Sequence, residues 1–282
     1  MISINLQEAL SDVSACLEAH TEGARLDAQV LLAHICGKSR TWVLAHPEYD
    51  LSPEEQVQLD IAIDRLTSGT PLPYVLGIWE FYGRSFIVTP ATLIPRPETE
   101  LLVETALAWL QANPRRRQAA DVGTGSGCIG VSLAAHIDDL KVTATEISPR
   151  AVITAIDNSI RHNVDERVSV IQNDLLSGIP GPFDLICANL PYIPSESLQS
   201  LAVYGREPSL ALDGGPDGLD LIRRLLKQAG QRLSPGGLIL LEIDAGQGES
   251  APAAARMNFP EAEISLKRDL AGHPRLVVIQ TI

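Results

Sequence analysis

The chain has 282 residues, more than one average domain needs, and its 45% hydrophobic and 20% charged content describes a globular protein with enough apolar material for a sizeable core. A formal net charge of −13 argues against bulk binding of nucleic acid, which is carried by Lys and Arg facing the phosphates. Four cysteines, Cys16, Cys36, Cys128 and Cys187, form no Cys-x-x-Cys pair, so neither a zinc site nor a disulfide framework is indicated and no metal is expected.

The opening Met1-Ile2-Ser3-Ile4-Asn5 carries no basic flank, and no apolar stretch reaches the ~18 residues of a membrane span, so a cytoplasmic address is expected. From about Leu6 to Leu66 apolar residues recur at helical spacing, as in Ala28, Val30, Leu31, Leu32 and Ile35. Ser52-Pro53-Glu54-Glu55 is a helix start, with a capping Ser, Pro at the first helical position and acids in the first turn. A bundle of four or five short helices is therefore expected over residues 1–70. It shows no chemistry of its own, and a role in docking a substrate or partner is the expectation.

Glycine and proline punctuate residues 71–97, which read as a linker carrying a β-hairpin, with Arg84 to Val88 as one strand. A helix is expected from Glu98 to about Ala112, its acidic first turn suiting the helix dipole. Arg115-Arg116-Arg117 is the one dense basic run and reads as a solvated helix end. From Ala119 strands and helices alternate: strands near 119–122, 142–146, 168–172, 183–188, 237–243, 262–266 and 275–280, helices near 127–136, 149–163, 217–233 and 249–258. This pattern predicts an α/β domain over 98–282, a Rossmann-like seven-stranded, mostly parallel sheet with one antiparallel strand near an edge. Pro235-Gly236-Gly237 reads as the turn before the fifth strand.

Chemistry gathers at the carboxyl ends of these strands, where open α/β sheets bind ligands. Asp121-Val122-Gly123-Thr124-Gly125-Ser126-Gly127 places glycines at a strand-to-helix turn, where backbone can approach a cofactor. Phosphate and dinucleotide binders share such a turn. Glu146 ends the next strand about twenty residues on, where a carboxylate can take both hydroxyls of a ribose. No Lys-Ser or Lys-Thr follows the glycines, so a nucleoside triphosphate site lacks its lysine. Asn189-Leu190-Pro191-Tyr192 then follows the apolar run 183–188. Its Asn oxygen and a neighbouring backbone carbonyl can accept both N–H bonds of one planar amino or amide group, with Tyr as a flat wall. In this order the three motifs resemble a class I S-adenosylmethionine (SAM) methyltransferase acting on nitrogen.

Further stretches narrow the resemblance. Thr92-Leu93-Ile94-Pro95-Arg96-Pro97-Glu98-Thr99-Glu100 precedes the glycine loop, and residues 207–220, Glu-Pro-Ser-Leu-Ala-Leu-Asp-Gly-Gly-Pro-Asp-Gly-Leu-Asp, follow the tetrad. With Glu242, Gln247-Gly248 and the N-terminal run Leu26 to His34, they are similar to the bacterial release factor glutamine methyltransferase family, also called PrmC or HemK, over nearly the whole chain. The resemblance implies SAM as cofactor and S-adenosylhomocysteine as product. It implies methylation of the Gln side-chain amide in the Gly-Gly-Gln loop of class I peptide chain release factors, in support of translation termination. By the same resemblance, Gly123, Thr124, Gly125, Ser126 and Gly127 line the methionine part of the cofactor, Glu146 the ribose, and Asp174 with Leu175 the adenine edge. Asn189, Leu190, Pro191 and Tyr192 hold the substrate Gln and carry the catalysis, Asn189 also bordering the cofactor.

Two positions depart from the family pattern. Leu190 stands where Pro is usual, and serves if that position acts through its backbone carbonyl; Asp244 stands where Gly is common. Asn-Leu-Pro-Tyr also resembles the ribosomal RNA adenine dimethyltransferases. The alternatives are therefore N6-adenine methylation of RNA or DNA, with a flipped base in the clamp, and methylation of a ribosomal protein glutamine. A SAM-binding module without catalysis is the remaining class, and the intact Asn189 and Tyr192 speak against it.

Overall fold

In the computed structural model, which describes residues 4–282, Leu6, Ala9, Val13 and Leu17 fall on one face of α1 (Leu6–Leu17) at helical spacing. They share a core with Ala28, Leu31 and Leu32 of α2 (Ala24–Ile35), Val43 of α3 (Arg40–Ala45), Leu59 and Leu66 of α4 (Pro53–Thr67), and Leu72 of α5 (Leu72–Leu76). Reciprocal caps start two of these helices, Asn5 with Glu8 and Ser52 with Glu55, each satisfying backbone donors that the first turn leaves open. This five-helix unit ends at Ile78, and a second compact unit covers Trp79–Ile282.

The stretch expected as a linker is divided between the two units. Leu72–Leu76 is helical, whereas the hairpin of β1 (Ile78–Phe81) and β2 (Arg84–Ile87) is built into the second unit. Phe81 and Phe86 are buried in that unit's core. The Asn158 side chain accepts from Ile87 N at 2.7 Å and donates to Ile87 O at 2.9 Å, pairing with the strand as another strand would. A 3-10 turn, Pro97–Thr99, leads into α6 (Glu100–Ala112).

The rest of the second unit alternates as β3 (Gln118–Val122), α7 (Cys128–His136), β4 (Lys141–Glu146), α8 (Pro149–Arg161), β5 (Val168–Gln172), β6 (Phe183–Ala188), α9 (Ser195–Leu198), α10 (Asp220–Ala229), β7 (Leu233–Glu242), α11 (Ser250–Asn258), β8 (Glu263–Arg268) and β9 (Pro274–Gln280). Seven strands form one sheet in the order β5-β4-β3-β6-β7-β9-β8. Pairing is parallel except where β9 meets β7 and β8. Side chains alternate across it: Ala119, Val142 and Leu185 face the core shared with α6 and α7, while Ala120, Ile186 and Ile239 face the core shared with α10 and α11. The order reverses between β3 and β6, the switch point at which such sheets open a crevice.

Two expectations change. Pro235-Gly236-Gly237 lies inside β7, which starts at Leu233, because a register shift opposite Phe183 and Leu185 absorbs it. Gly236 N donates to Ile282 O at 3.1 Å and Gly236 O accepts from Gln280 at 3.0 Å, so the kinked segment still finds partners. The basic run is also more than a solvated end. Arg116 pairs with Asp184 at 3.0 Å and donates to Pro235 O at 2.7 Å, while Arg117 pairs with Asp139, tying the amino ends of several strands together. Among the described residues no helix is long and apolar enough to cross a membrane, and no group of three or more His, Cys, Asp or Glu is placed to hold a metal.

Candidate active site

Strand register assembles the site. Val122 is level with Thr145 of β4 on one side and Ala188 of β6 on the other, and Ala188 is level with Leu241 of β7. The next residue of each strand therefore stands in one row: Glu146, Gly123, Asn189 and Glu242. Residues far apart in sequence become neighbours because four parallel strands end together.

The loop after β3 folds back at once, with Gly123 N and Thr124 N both donating to Thr145 O, at 2.8 and 3.0 Å. Gly123 has φ +71°, and a Cβ there would stand 2.8 Å from Leu190 Cδ2. The left-handed conformation favours glycine, and the Leu190 tip would have to give way to any Cβ. Asp121, 1% exposed, holds the loop from beneath: its Oδ2 accepts from the Thr124 hydroxyl at 2.5 Å and from Gly130 N at 2.9 Å, while Oδ1 has no partner. Burial pushes this carboxyl up to about 6, against the pull of those two bonds.

Glu146 is pinned at the end of β4, Oε2 accepting from Gly125 N at 3.0 Å and Oε1 from Ser148 N at 2.9 Å. Each carboxylate oxygen has a second lone pair, and Glu146 lines a cavity of about 690 Å³. That size suits a small-molecule site. Of the residues picked from the sequence, 123–126, Glu146, Asp174, Leu175 and 189–191 line this cavity, whereas Gly127 and Tyr192 do not. Gly127 instead sits at φ +83° where a Cβ would come within 3.3 Å of Ala155 Cα, so it serves the packing of α7 on α8. Asp174 is half-buried with its carboxylate on Arg224 of α10 at 2.5 Å. Leu175 takes a left-handed conformation, φ +52°, and presents an apolar side chain.

The tetrad loop is anchored at both ends. Leu190 is buried against the glycine loop and the core under α10. Tyr192 O accepts from the Gln247 side chain at 3.0 Å, and the same amide reaches Gly218 O at 3.2 Å. Gln247 in turn accepts from Asp244 N at 3.1 Å, and Asp244 Oδ1 accepts from Gly246 N at 2.8 Å. Asp244, a departure from the family pattern, thus caps the turn that carries Gln247. The Tyr192 phenol lies near Glu242, Arg275 and Arg96, and burial together with the Glu242 charge raises it above the ordinary tyrosine value. Beside it, Glu207 accepts from Ile94 N at 3.0 Å and pairs with Arg96, fastening the stretch before α6 to the loop after the tetrad.

The Asn189 amide donates through Nδ2 to Thr99 Oγ1 at 3.0 Å. Glu242, 3% exposed, stands next in the row. Burial pushes its carboxyl up to about 7, opposed by hydrogen bonds from Thr99 and Asn189 and by the Arg275 charge. Thr99, Glu207, Glu242 and Gln247 had no role in the sequence reading beyond belonging to family-like stretches. Most of their partners are tens of residues away or more, from 29 for Gln247 and Gly218 to 113 for Glu207 and Ile94, and burial is not written in local pattern.

Known proteins resemble this chain in both of its units. The PrmC N-terminal domain family matches residues 8–77 and the methyltransferase small domain family matches residues 97–203. A release factor glutamine methyltransferase of Moorella thermoacetica is 42% identical over 275 residues, 96% of this chain and 97% of that protein. One of Koribacter versatilis is 40% identical over 284 residues, 98% of each chain. Among solved structures, the human METTL16 catalytic domain in complex with an RNA hairpin of MAT2A superposes with TM-score 0.56 at 15% identity, covering 80% of this chain and 81% of that one. The N-terminal domain of human METTL16 in complex with S-adenosylhomocysteine gives 0.52 at 16% identity, over 71% and 76%. At such identities the structures establish the class I methyltransferase fold.

Proposed function

The chain belongs to the release factor glutamine methyltransferase family, and from that membership we propose that it methylates the side-chain amide nitrogen, N5, of the Gly-Gly-Gln glutamine in class I peptide chain release factors, with Asn189 and Leu190 holding the amide. The observation that carries the reading is the row at the sheet edge, which sets Glu146 and the glycine loop beside Asn189.

The cofactor is SAM, and the residues present fit it. The cavity has the size, Gly123 to Ser126 form an open backbone cradle for the amino-acid end, and Glu146 offers lone pairs for the ribose. Leu175 supplies an apolar wall for the adenine, whose edge meets the backbone at Asp174 better than its carboxylate, already taken by Arg224. When bound, SAM supplies an electrophilic methyl group on a sulfonium. The protein's task is to aim a poor nucleophile.

An amide nitrogen reacts badly because its lone pair is delocalised into the carbonyl. Asn189 Oδ1 and the Leu190 carbonyl, accepting its two N–H bonds, orient the nitrogen and favour its rehybridisation toward sp³. The same acceptors meet the positive charge that grows on nitrogen; Tyr192, whose ring is outside the cavity lining, holds the loop through its carbonyl on Gln247. No strong base is required, since an N-methylated, N-protonated amide is very acidic and sheds its proton to water. Leu190 suits the second position because its side chain turns inward onto Gly123 and the core, leaving the carbonyl to act. The five-helix unit, with no cavity chemistry, is the docking element for the release factor.

Incubation with labelled SAM and, separately, release factor, ribosomal protein, RNA and DNA tests the reading. We expect label on the Gly-Gly-Gln glutamine by peptide mass spectrometry. Label in adenine, with none in release factor, would move the clamp to the base-methylating class.

A further inference from the structure

The clamp has a requirement that its shape alone does not meet. Asn189 has an oxygen and an NH2 at nearly interchangeable positions, and only the oxygen can accept the substrate's N–H. Something must choose the orientation. Nδ2 points to Thr99 Oγ1 at 3.0 Å, but a threonine hydroxyl accepts or donates equally well and by itself does not decide.

Glu242 decides. Register puts it beside Asn189, at the end of β7, and it is 3% exposed. The Thr99 hydroxyl, itself 2% exposed, and the Asn189 side chain lie near enough to its carboxylate to favour the charged form, while Oε2 is buried with no hydrogen-bond partner. A carboxylate only accepts. A Thr99 hydrogen turned toward this unpaired carboxylate leaves Thr99 only able to accept, which matches the Asn189 Nδ2 that points to it. We propose that Glu242, acting through Thr99, is a positioning residue that keeps the Asn189 oxygen turned toward the substrate amide. The proposal rests on the reading of Asn189 as the clamp and adds the device that sets its polarity.

Unpaired buried carboxylates are costly, and the charged groups around this one do not remove the cost. Arg275 of β9 favours the carboxylate, Glu98 of the 97–99 turn opposes it, and the Tyr192 phenol and Cys128 thiol face it without charge. Burial dominates, and the carboxyl titrates near 7. Protonated Glu242 would donate to Thr99, the hydroxyl could then turn, and the amide could present either end. Methyl transfer therefore needs the form that the fold disfavours. Its folded pKa lies above the ordinary carboxyl value of 4.5, so its contribution to stability is greatest below 4.5 and is lost as pH rises through about 7, the range in which the rate should climb.

The test uses the full chain with Glu242→Gln, Thr99→Val and Thr99→Ser. In the wild type we expect kcat on release factor to fall by about tenfold per pH unit below a midpoint near 7, as for one required base form, with SAM affinity nearly flat. Glu242→Gln, whose amide can also donate, should lose at least about tenfold in kcat at pH 8 and flatten the acid limb. Thr99→Val should do the same, and Thr99→Ser should recover most of the loss. A readout independent of activity is the Asn189 side-chain amide resonance in the ligand-free protein. It should shift with a midpoint near 7 in the wild type and stay fixed in Glu242→Gln. A resonance indifferent to pH between roughly 5.5 and 8.5 overturns the proposal, even if the variants fold badly. So does a Glu242→Gln enzyme with full rate and an unchanged acid limb. If Asn189→Ala is inactive alongside it, the clamp stands without the relay; an active Asn189→Ala enzyme removes both.

Discussion

The two units bury different chemistry. Among the described residues the five-helix unit buries no charged side chain, and its core is Leu, Val and Ala at helical spacing. The second unit buries four carboxylates: Asp121, Glu146 and Glu242 at or next to the carboxyl ends of β3, β4 and β7, and Glu207 in the loop after the tetrad. A core that only has to be stable has no use for a buried charge, which costs free energy unless it is fully paired. Where such groups persist in one half of a chain and not the other, they mark the part that carries out the chemistry. The helical unit is a scaffold with a surface; the α/β unit accepts poorer burial to hold a site.

The sharpest way to break that contrast is Asn189→Ala. Because its hydrogen bond matters mainly in the transition state, we expect the maximal methylation rate to fall by about 10²–10³ while SAM binding changes little. Rapid-quench measurement with release factor decides it, and a nearly active variant would show that the row at the sheet edge does not clamp the substrate. Next in size is Glu146→Ala. Each lost hydrogen bond to a charged group is worth about 1.5–3 kcal/mol, and Gly125 and Ser148 lose their anchor as well. SAM affinity by calorimetry should drop by at least about tenfold; unchanged affinity would take Glu146 out of the site.

Much of this was legible beforehand, for reasons that can be stated. Alternating apolar runs with turn residues between them fixed the strands of the sheet to within a few residues, and the glycine loop, Glu146 and Asn189 stand out in sequence as distinctive residue types at strand ends, which the structure brings around one cavity. Pro235-Gly236-Gly237 misled because the same residues that end a strand can also kink one, and only the partner strands β6 and β9 distinguish the two. The hairpin was readable but not its attachment, since Asn158 on α8 reaches it across 71 positions. Thr99 and Glu242 are ordinary polar residues in sequence. They acquire meaning from strand register and burial, neither of which local pattern contains.

Acid–base behaviour offers a subtler probe of the same contrast. The Asp121 carboxyl is raised from 3.8 to about 6, so it adds most to stability below 3.8 and that contribution is lost as pH climbs through about 6. At ~1.4 kcal/mol per unit the loss is on the order of 3 kcal/mol. Urea midpoints of the wild type and Asp121→Asn across this range should diverge, the variant showing the flatter curve; parallel curves would mean that Asp121 is not strained by its burial. The smallest effect is expected for Leu190→Pro, which keeps the carbonyl and restores the common family residue. Its rate should stay within about threefold of wild type, and a collapse would show that the inward Leu190 side chain, rather than the carbonyl, sets the loop.

The most direct test of the division between the units is a chain beginning at Trp79, compared with the full chain on two substrates, a short Gly-Gly-Gln peptide and an intact release factor. If the chemistry resides in the second unit and docking in the first, the shortened chain should bind SAM and methylate the peptide as the full chain does. On intact release factor its kcat/KM should fall by at least about tenfold. Equal efficiency on the intact protein would contradict the account.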